Sequence, residues 1–191
     1  MAAPVIIDIE TQNTFRDIGG NFPEKLKISV VGMYDYASTS YNCFEEGELA
    51  KLFPYLENAS FIIGFNSNSF DLPVINAYYV GKVSSFPTLD LLEDVHKYLG
   101  FRIALDDLIR ETLGVHKQGH GLLAIEYFKN GEMEKLKKYC LSDVELTKNL
   151  YAYGKTHGKV FYKTAQGRRE IPVAWQHEAQ TASSVNVTLP W

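Results

Sequence analysis

The sequence predicts an α/β fold in which a mixed central sheet is flanked by helices. Three observations carry that expectation. Branched apolar runs open the chain, apolar residues then recur at helical spacing, and a strand without alternation separates two such helical stretches. At 191 residues and 46% hydrophobic content, the chain suits one domain of ordinary size with a small appendage. Aromatics make up 13%, including 12 Tyr and 11 Phe, which supplies enough apolar surface to exclude wholesale disorder.

In order, VIIDIE in the 4–10 region, KISVVGMYDY at 27–36 and SYNCFE at 40–45 read as strands. Gly19, Gly20, Asn21 and Pro23 punctuate the first connection, so an antiparallel meander is expected. The segment 46–56 then places Leu49, Leu52, Phe53 and Leu56 on one helical face, and SFIIGF at 60–65 is apolar throughout, as in a strand covered on both sides. That makes a strand–helix–strand crossover. Further helices are expected over 72–79, 91–98, 104–113 and 121–129, with a short strand at 88–90 and the longest helix over 133–156, near Gly154 and Gly158. VFYKT and EIPVAW flank AQGRR as a hairpin around Gly167, and the polar residues 176–191 read as a flexible tail.

No apolar run approaches the roughly 20 residues that span a bilayer, and no basic segment precedes the first apolar stretch. Cys43 and Cys140 stand far apart and form no CxxC or Cys/His cluster, so neither a disulfide framework nor a zinc site is indicated. A soluble, cytoplasmic protein without a membrane partner is the expectation. The formal net charge of −4 is uneven: residues 1–100 carry 6 Lys/Arg against 13 Asp/Glu, and residues 101–191 carry 13 against 10. The split suits an acidic site beside a basic rim, although uneven solvated charge is the commoner cause of such asymmetry.

Three carboxylate-bearing segments stand out. In VIIDIE, Asp8 and Glu10 are two residues apart, so both side chains point to one face of a strand while Ile7 and Ile9 point to the other. Two like charges in an apolar strand are costly without a cation, or else mark a solvated strand end. In GFNSNSFDLPVI, Asp71 precedes Leu72 and Pro73, where it also reads as an ordinary helix N-cap. In the long helix, Leu136, Tyr139, Cys140, Asp143, Thr147 and Leu150 fall at offsets 0, 3, 4, 7, 11 and 14, which points Asp143 inward with Tyr139 one turn earlier on the same face. An inward Asp needs a hydrogen bond, a partner or a metal, and Tyr139 itself could supply the first.

In combination, DxE on the first strand, N-x-x-x-F-D after the fourth and Y-x-x-x-D on the last long helix resemble the DEDD exonuclease superfamily in its tyrosine-bearing (DEDDy) branch. The matching residues are Asp8, Glu10, Asn66, Phe70, Asp71, Tyr139 and Asp143. Lys138 stands where the histidine branch carries its His. The FNSNSFDLPVINAYY, LDDLIRETLG and GHGLLAIEYFKNGE segments are further similar to predicted exonucleases of the YprB type.

The resemblance implies an RNase H-like exonuclease domain over residues 1–157; beyond it the residue pattern itself gives a β-hairpin appendage over 158–175 and the tail over 176–191, to which the resemblance assigns no role. It implies a 3′-to-5′ exonuclease that uses two Mg2+ or Mn2+ ions, hard cations suited to a set of four carboxylates. Asp8 would bridge the two metals, Glu10 and Asp143 would complete the site holding the attacking water, Asp71 would support the second ion, and Tyr139 would orient the water. The implied partner is nucleic acid, DNA or RNA, with a free single-stranded 3′ end, beside a helicase or polymerase. Asn66, Phe70, Lys138, Arg168 and Arg169 are candidates for gripping it, with Lys129, Lys135 and Lys163 in the same basic half. His116 and His120 in VHKQGHG match no zinc or histidine-branch spacing, Asp106 and Asp107 read as acids that open a helix and complement its dipole, and Asp90 reads as a helix cap. Two other readings stay open: a non-catalytic module that binds nucleic acid or a helicase, and a structure-specific endonuclease on the same fold.

Overall fold

The computed structural model describes residues 2–117, 119 and 121–175. Its elements are β1 (Val5–Thr11), β2 (Ile28–Asp35), β3 (Ser40–Glu45), α1 (Leu49–Asn58), β4 (Ile62–Gly64), α2 (Asp71–Asn76) and β5 (Thr88–Asp90). They continue with α3 (Leu91–Leu99), α4 (Leu105–Leu113), α5 (Gly121–Lys129), α6 (Met133–His157), β6 (Lys159–Thr164) and β7 (Gly167–Pro172). The first five strands form one sheet in the order β3-β2-β1-β4-β5. β1 to β3 pair antiparallel, whereas β4 and β5 continue from β1 in parallel. This is the expected mixed sheet, with β1 in the middle. The expected tail, residues 176–191, and His120 lie outside the described residues.

Boundaries move where local hydrogen bonding overrides the apolar period. The segment expected as one helix from 46 opens with a 3₁₀ turn, Glu46–Glu48, because Glu48 Oε2 accepts the Glu45 N–H at 3.4 Å. α2 stops at Asn76, since the next amides turn back to residues three earlier: Ala77 to Val74 at 3.2 Å and Tyr78 to Ile75 at 3.0 Å. At the far end Gly158, at φ +66°, closes α6 and donates to Gly154 O at 2.8 Å.

The sheet is covered on both sides, and β1 divides the core by parity. Val5, Ile7 and Ile9 face one cluster with α1 and α2 side chains such as Leu52, Leu56, Val74 and Ile75. Ile6 faces the other, with Leu108, Ile109, Val144, Leu150 and Tyr151 of α4 and α6. The β6–β7 hairpin forms its own two-stranded sheet, and Val160, Ile171, Val173 and Trp175 are buried in that second cluster. Trp175 Nε1 donates to Asp94 Oδ2 at 2.8 Å, and Thr112 Oγ1 accepts the Phe161 amide at 2.9 Å, which ties the hairpin to α3 and α4.

Gly32 sets how closely α6 approaches the sheet. It lies opposite Asp8 in the β1–β2 register, and a Cβ there would stand 2.9 Å from Cys140 Sγ and 3.0 Å from Val144 Cγ2. Only a missing side chain lets the helix settle over Asp8. Gly32→Ala is expected to destabilise the protein by about 1–3 kcal/mol by overpacking, read from urea unfolding.

Candidate metal centre

Asp8 and Glu10 lie on the same face of β1 as Ile6, so they interrupt the apolar layer beneath α6. Opposite them on β2 stand Gly32, whose missing side chain lets α6 approach, and Val30, buried among Tyr139 and Cys140. α6 turns its buried stripe toward this gap, and the stripe includes Tyr139, Cys140 and Asp143. Ligand oxygens of Asp8, Glu10 and Asp143 consequently fall within 4.8 Å of one another. Cys140 Sγ approaches Asp8 O at 3.5 Å and helps seat the helix on the strand.

Asp71 takes a different position from that of an N-cap. It is the first residue of α2, Phe70 occupies the cap position, and no side chain caps the helix. Its buried carboxylate reaches across to β1 instead, where Oδ1 accepts the Ile9 N–H at 3.1 Å. β1 pairs with β4 only at Val5 and Ile6, so the Ile9 amide lies beyond the end of that ladder and finds its acceptor in Asp71. Asp71 thus sits on β1 beside the acidic face without joining the three-carboxylate cluster.

Neighbouring turns hold the rim. Asn66 adopts φ +67°, a left-handed conformation that Asn tolerates, and accepts from Arg102 Nη2 through its Oδ1. Asp90 accepts the amides of Asn66 and Asn68 at 2.9 Å each and those of Leu92 and Glu93 at 3.0 and 3.1 Å, so it is the helix cap it was expected to be. A groove of about 450 Å3 opens beside Asp8, walled by Asn66, Arg102, Ile103, Ala104 and Lys117 among others.

Lys117 carries no periodic signal in the sequence, because it stands in the aperiodic loop between α4 and α5. Its Nζ is 2.7 Å from Asp143 Oδ2 and 5.5 Å from the centre of the Tyr139 ring. Asp106 on α4 accepts the Lys117 amide at 2.7 Å and anchors the loop that delivers this ammonium. His116 is exposed, with Nδ1 3.9 Å from the same Asp106 carboxylate.

The electrostatics follow from burial and crowding. Asp8 is held well above the usual carboxylate range by burial and then by Asp143, Asp71 and Glu10, with Lys117 opposing. Glu10 is pushed from 4.5 to about 8 by burial and Asp143, and Asp71 from 3.8 to about 7 by burial, against amide hydrogen bonds that pull it down. Burial raises Asp143 too, against the pull of Lys117, and lifts the Tyr139 phenol to about 12. Burial pulls the Lys117 ammonium down, but Asp143 and Asp8 outweigh it and keep the group charged. Asp143 Oδ1 and the Tyr139 hydroxyl are buried with no hydrogen-bond partner among the described residues, so the Tyr–Asp bond that would explain an inward Asp is not formed. Unpartnered hard oxygens in an anionic cluster fit a divalent cation that prefers oxygen ligands.

The remaining expected residues are spread more widely. Phe70 is half-buried against the first core cluster, edge-on to Phe15 at 5.8 Å. Lys138 is exposed beside Tyr139 in the chain. Arg168 and Arg169 are exposed on β7, and the Arg168 guanidinium lies 3.6 Å above the Phe161 ring.

A mixed sheet of this order, flanked by helices and carrying an acidic cluster on its central strand, defines an RNase H-like nuclease fold. The chain belongs to the RNase H superfamily, whose family model matches residues 5–154. Among solved structures it is similar to the family B DNA polymerase of the hyperthermophilic archaeon Pyrobaculum calidifontis, with a TM-score of 0.61 and 19% identity. The match covers 79% of this chain and 24% of the polymerase, so the chain spans about a quarter of that protein and the likeness is one of fold. No curated protein sequence matches it. No helix among the described residues is long and apolar enough to cross a membrane.

The raised carboxyls have a measurable consequence. A carboxyl with a higher pKa folded than unfolded binds protons preferentially when folded, so its stability contribution is lost as pH rises from the unfolded value through the folded one. For Glu10 and Asp71 that window runs from about pH 4 to about pH 8. The protein in EDTA is expected to melt lower at pH 8 than at pH 5.5. Added divalent cation is expected to raise the melting temperature more at pH 8, where the carboxylates are free to bind it.

Proposed function

We propose that the chain is a divalent-metal-dependent 3′-to-5′ exonuclease that hydrolyses phosphodiester bonds of DNA or RNA. The observation that carries this reading is the convergence of Asp8, Glu10 and Asp143 oxygens within 4.8 Å, with Asp143 Oδ1 unpartnered, at the wall of an open groove. Asp8, Glu10 and Asp143 hold the ions, and Asp71 supports the set from the β1 edge. Two Mg2+ or Mn2+ ions, when bound, activate water and neutralise charge on the leaving 3′ oxygen.

The chain's own residues position the rest. Tyr139 presents a free hydroxyl beside the cluster, and a phenol held near 12 is a hydrogen-bonding group rather than a base at neutral pH. Lys117 stays protonated and supplies positive charge where the scissile phosphate must approach. Asn66 and Arg102 line the groove on which a 3′ terminus enters, Phe70 follows in the same turn as Asn66, and Lys138, Arg168 and Arg169 supply outlying positive charge. Tyr139 one turn before Asp143 on a buried stripe supports the tyrosine-bearing branch, and the segments forming α2, α4 and α5 support the YprB-type group. Residues 1–157 are the catalytic unit, with 158–175 as a hairpin appendage. The protein works in the cytoplasm, where Cys43 and Cys140 remain thiols, on a single-stranded end presented by a helicase or polymerase.

Time-resolved cleavage of matched 5′-labelled DNA and RNA oligonucleotides in Mg2+, Mn2+ or EDTA tests the reading. A metal-dependent ladder shortening one nucleotide at a time is expected from the wild type. Asp8→Ala should abolish it while remaining folded, Tyr139→Phe should retain more activity than Asp143→Asn, and Lys117→Met should lose about 100-fold. Internal cuts that persist when the 3′ end is blocked would make it an endonuclease. Intact substrate with retained binding would make it a recruitment module.

A further inference from the structure

We propose that a second groove, between the α3–α4 connection and β6, holds the single strand of nucleic acid running away from the candidate metal centre. The proposal rests on the exonuclease reading for its substrate class and on independent geometry for its location. The two grooves share a wall. Arg102, Ile103 and Ala104 line the groove of about 450 Å3 that contains Asp8 and Lys117, and the same three residues line a neighbouring groove of about 420 Å3 completed by Phe101, Tyr162 and Lys163. A chain leaving the first groove over this ridge enters the second without crossing another element.

The lining suits an unpaired strand. Phe101 is 50% exposed, a large ring left in solvent, and its centroid lies 6.2 Å from that of Tyr162 at 57°. Aromatic rings open to a groove give bases a stacking platform that is indifferent to sequence. Positive charge accompanies them. Neither Arg102 nor Lys163 is ion-paired among the described residues. The groove's acid, Asp107, is ion-paired with Arg110 at 2.6 Å, a guanidinium it shares with Asp106 and Glu111. Lys163 also stands directly opposite Arg168 in the hairpin register. Like charges across a ladder destabilise it, and a phosphate between them removes that cost. Aromatics and unpaired cations on a ridge shared with the acidic site match a polyanion carrying stacked bases.

The test reads binding apart from chemistry. Fluorescence anisotropy of a labelled 12-nucleotide single strand is measured in EDTA for the wild type, Phe101→Ala, Lys163→Ala and Lys163→Arg, with melting curves confirming the fold. Phe101→Ala is expected to weaken binding about tenfold. Lys163→Ala is expected to weaken it and lower the slope of log affinity against log salt by about 0.7, one released counterion on a single strand, and Lys163→Arg should restore that slope. In Mg2+, the rate ratio of the 12-mer to a trinucleotide should fall about tenfold in Phe101→Ala. Wild-type affinity and salt slope in both Phe101→Ala and Lys163→Ala would overturn the proposal, even where Asp8→Ala abolishes cleavage. A wild type that cleaves nothing would overturn the exonuclease reading and leave the anisotropy to decide the groove.

Discussion

Crowding of carboxylates in a poorly solvated gap is the constraint on which the rest of the structure depends. Asp8 and Glu10 share a face of the central strand, and Asp143 is lowered onto them from α6. Burial opposes ionisation of all of them, and repulsion from the neighbouring carboxylates adds to it at Asp8 and Glu10. The surrounding architecture holds the group together against that repulsion. Gly32 lets α6 close on the sheet, Asp71 secures the Ile9 amide, and Asp106 anchors the loop whose Lys117 supplies the one positive charge placed in contact with the cluster among the described residues. One ammonium against three carboxylates leaves a deficit of positive charge, which explains why the centre invites a divalent cation.

The hairpin beyond α6 bears on the same problem from behind. Trp175 packs against Gly154 of α6 and stacks with Tyr151, so the helix that carries Asp143 is clamped between the sheet and the chain's own later residues. Thr112 and Asp94 extend that clamp to α4 and α3. The 101–104 ridge between those two helices is thereby held at both ends, which suits a wall shared by two grooves.

The sequence made some of these features legible and hid others for definite reasons. Strand parity placed Asp8 and Glu10 together, because alternation along a strand is independent of context. Helical spacing placed Tyr139 and Asp143 on one stripe for the same kind of reason. Asp71 was ambiguous, since an Asp before Leu-Pro serves equally as a cap or as an acceptor for a distant amide, and only the Ile9 contact distinguishes them. Lys117 and Arg102 were hidden because each sits in a loop with no period to orient it. Phe70 and the arginines of the hairpin kept more than one reading, as side chains at element ends do.

What the sequence determined by itself was therefore the local content: which segments are strands or helices, which residues share a face, and that several acids face inward. The tertiary structure decided how those faces meet. It set the 4.8 Å spread of the three carboxylates, the use of Asp71 across the β1 edge, and the entry of Lys117 into the cluster. The physical reason is that periodicity is encoded in covalent geometry and acts over a few residues. The approach of α6 to β1, more than a hundred residues away in the chain, depends on a gap at Gly32 whose role appears only when the helix is packed against it.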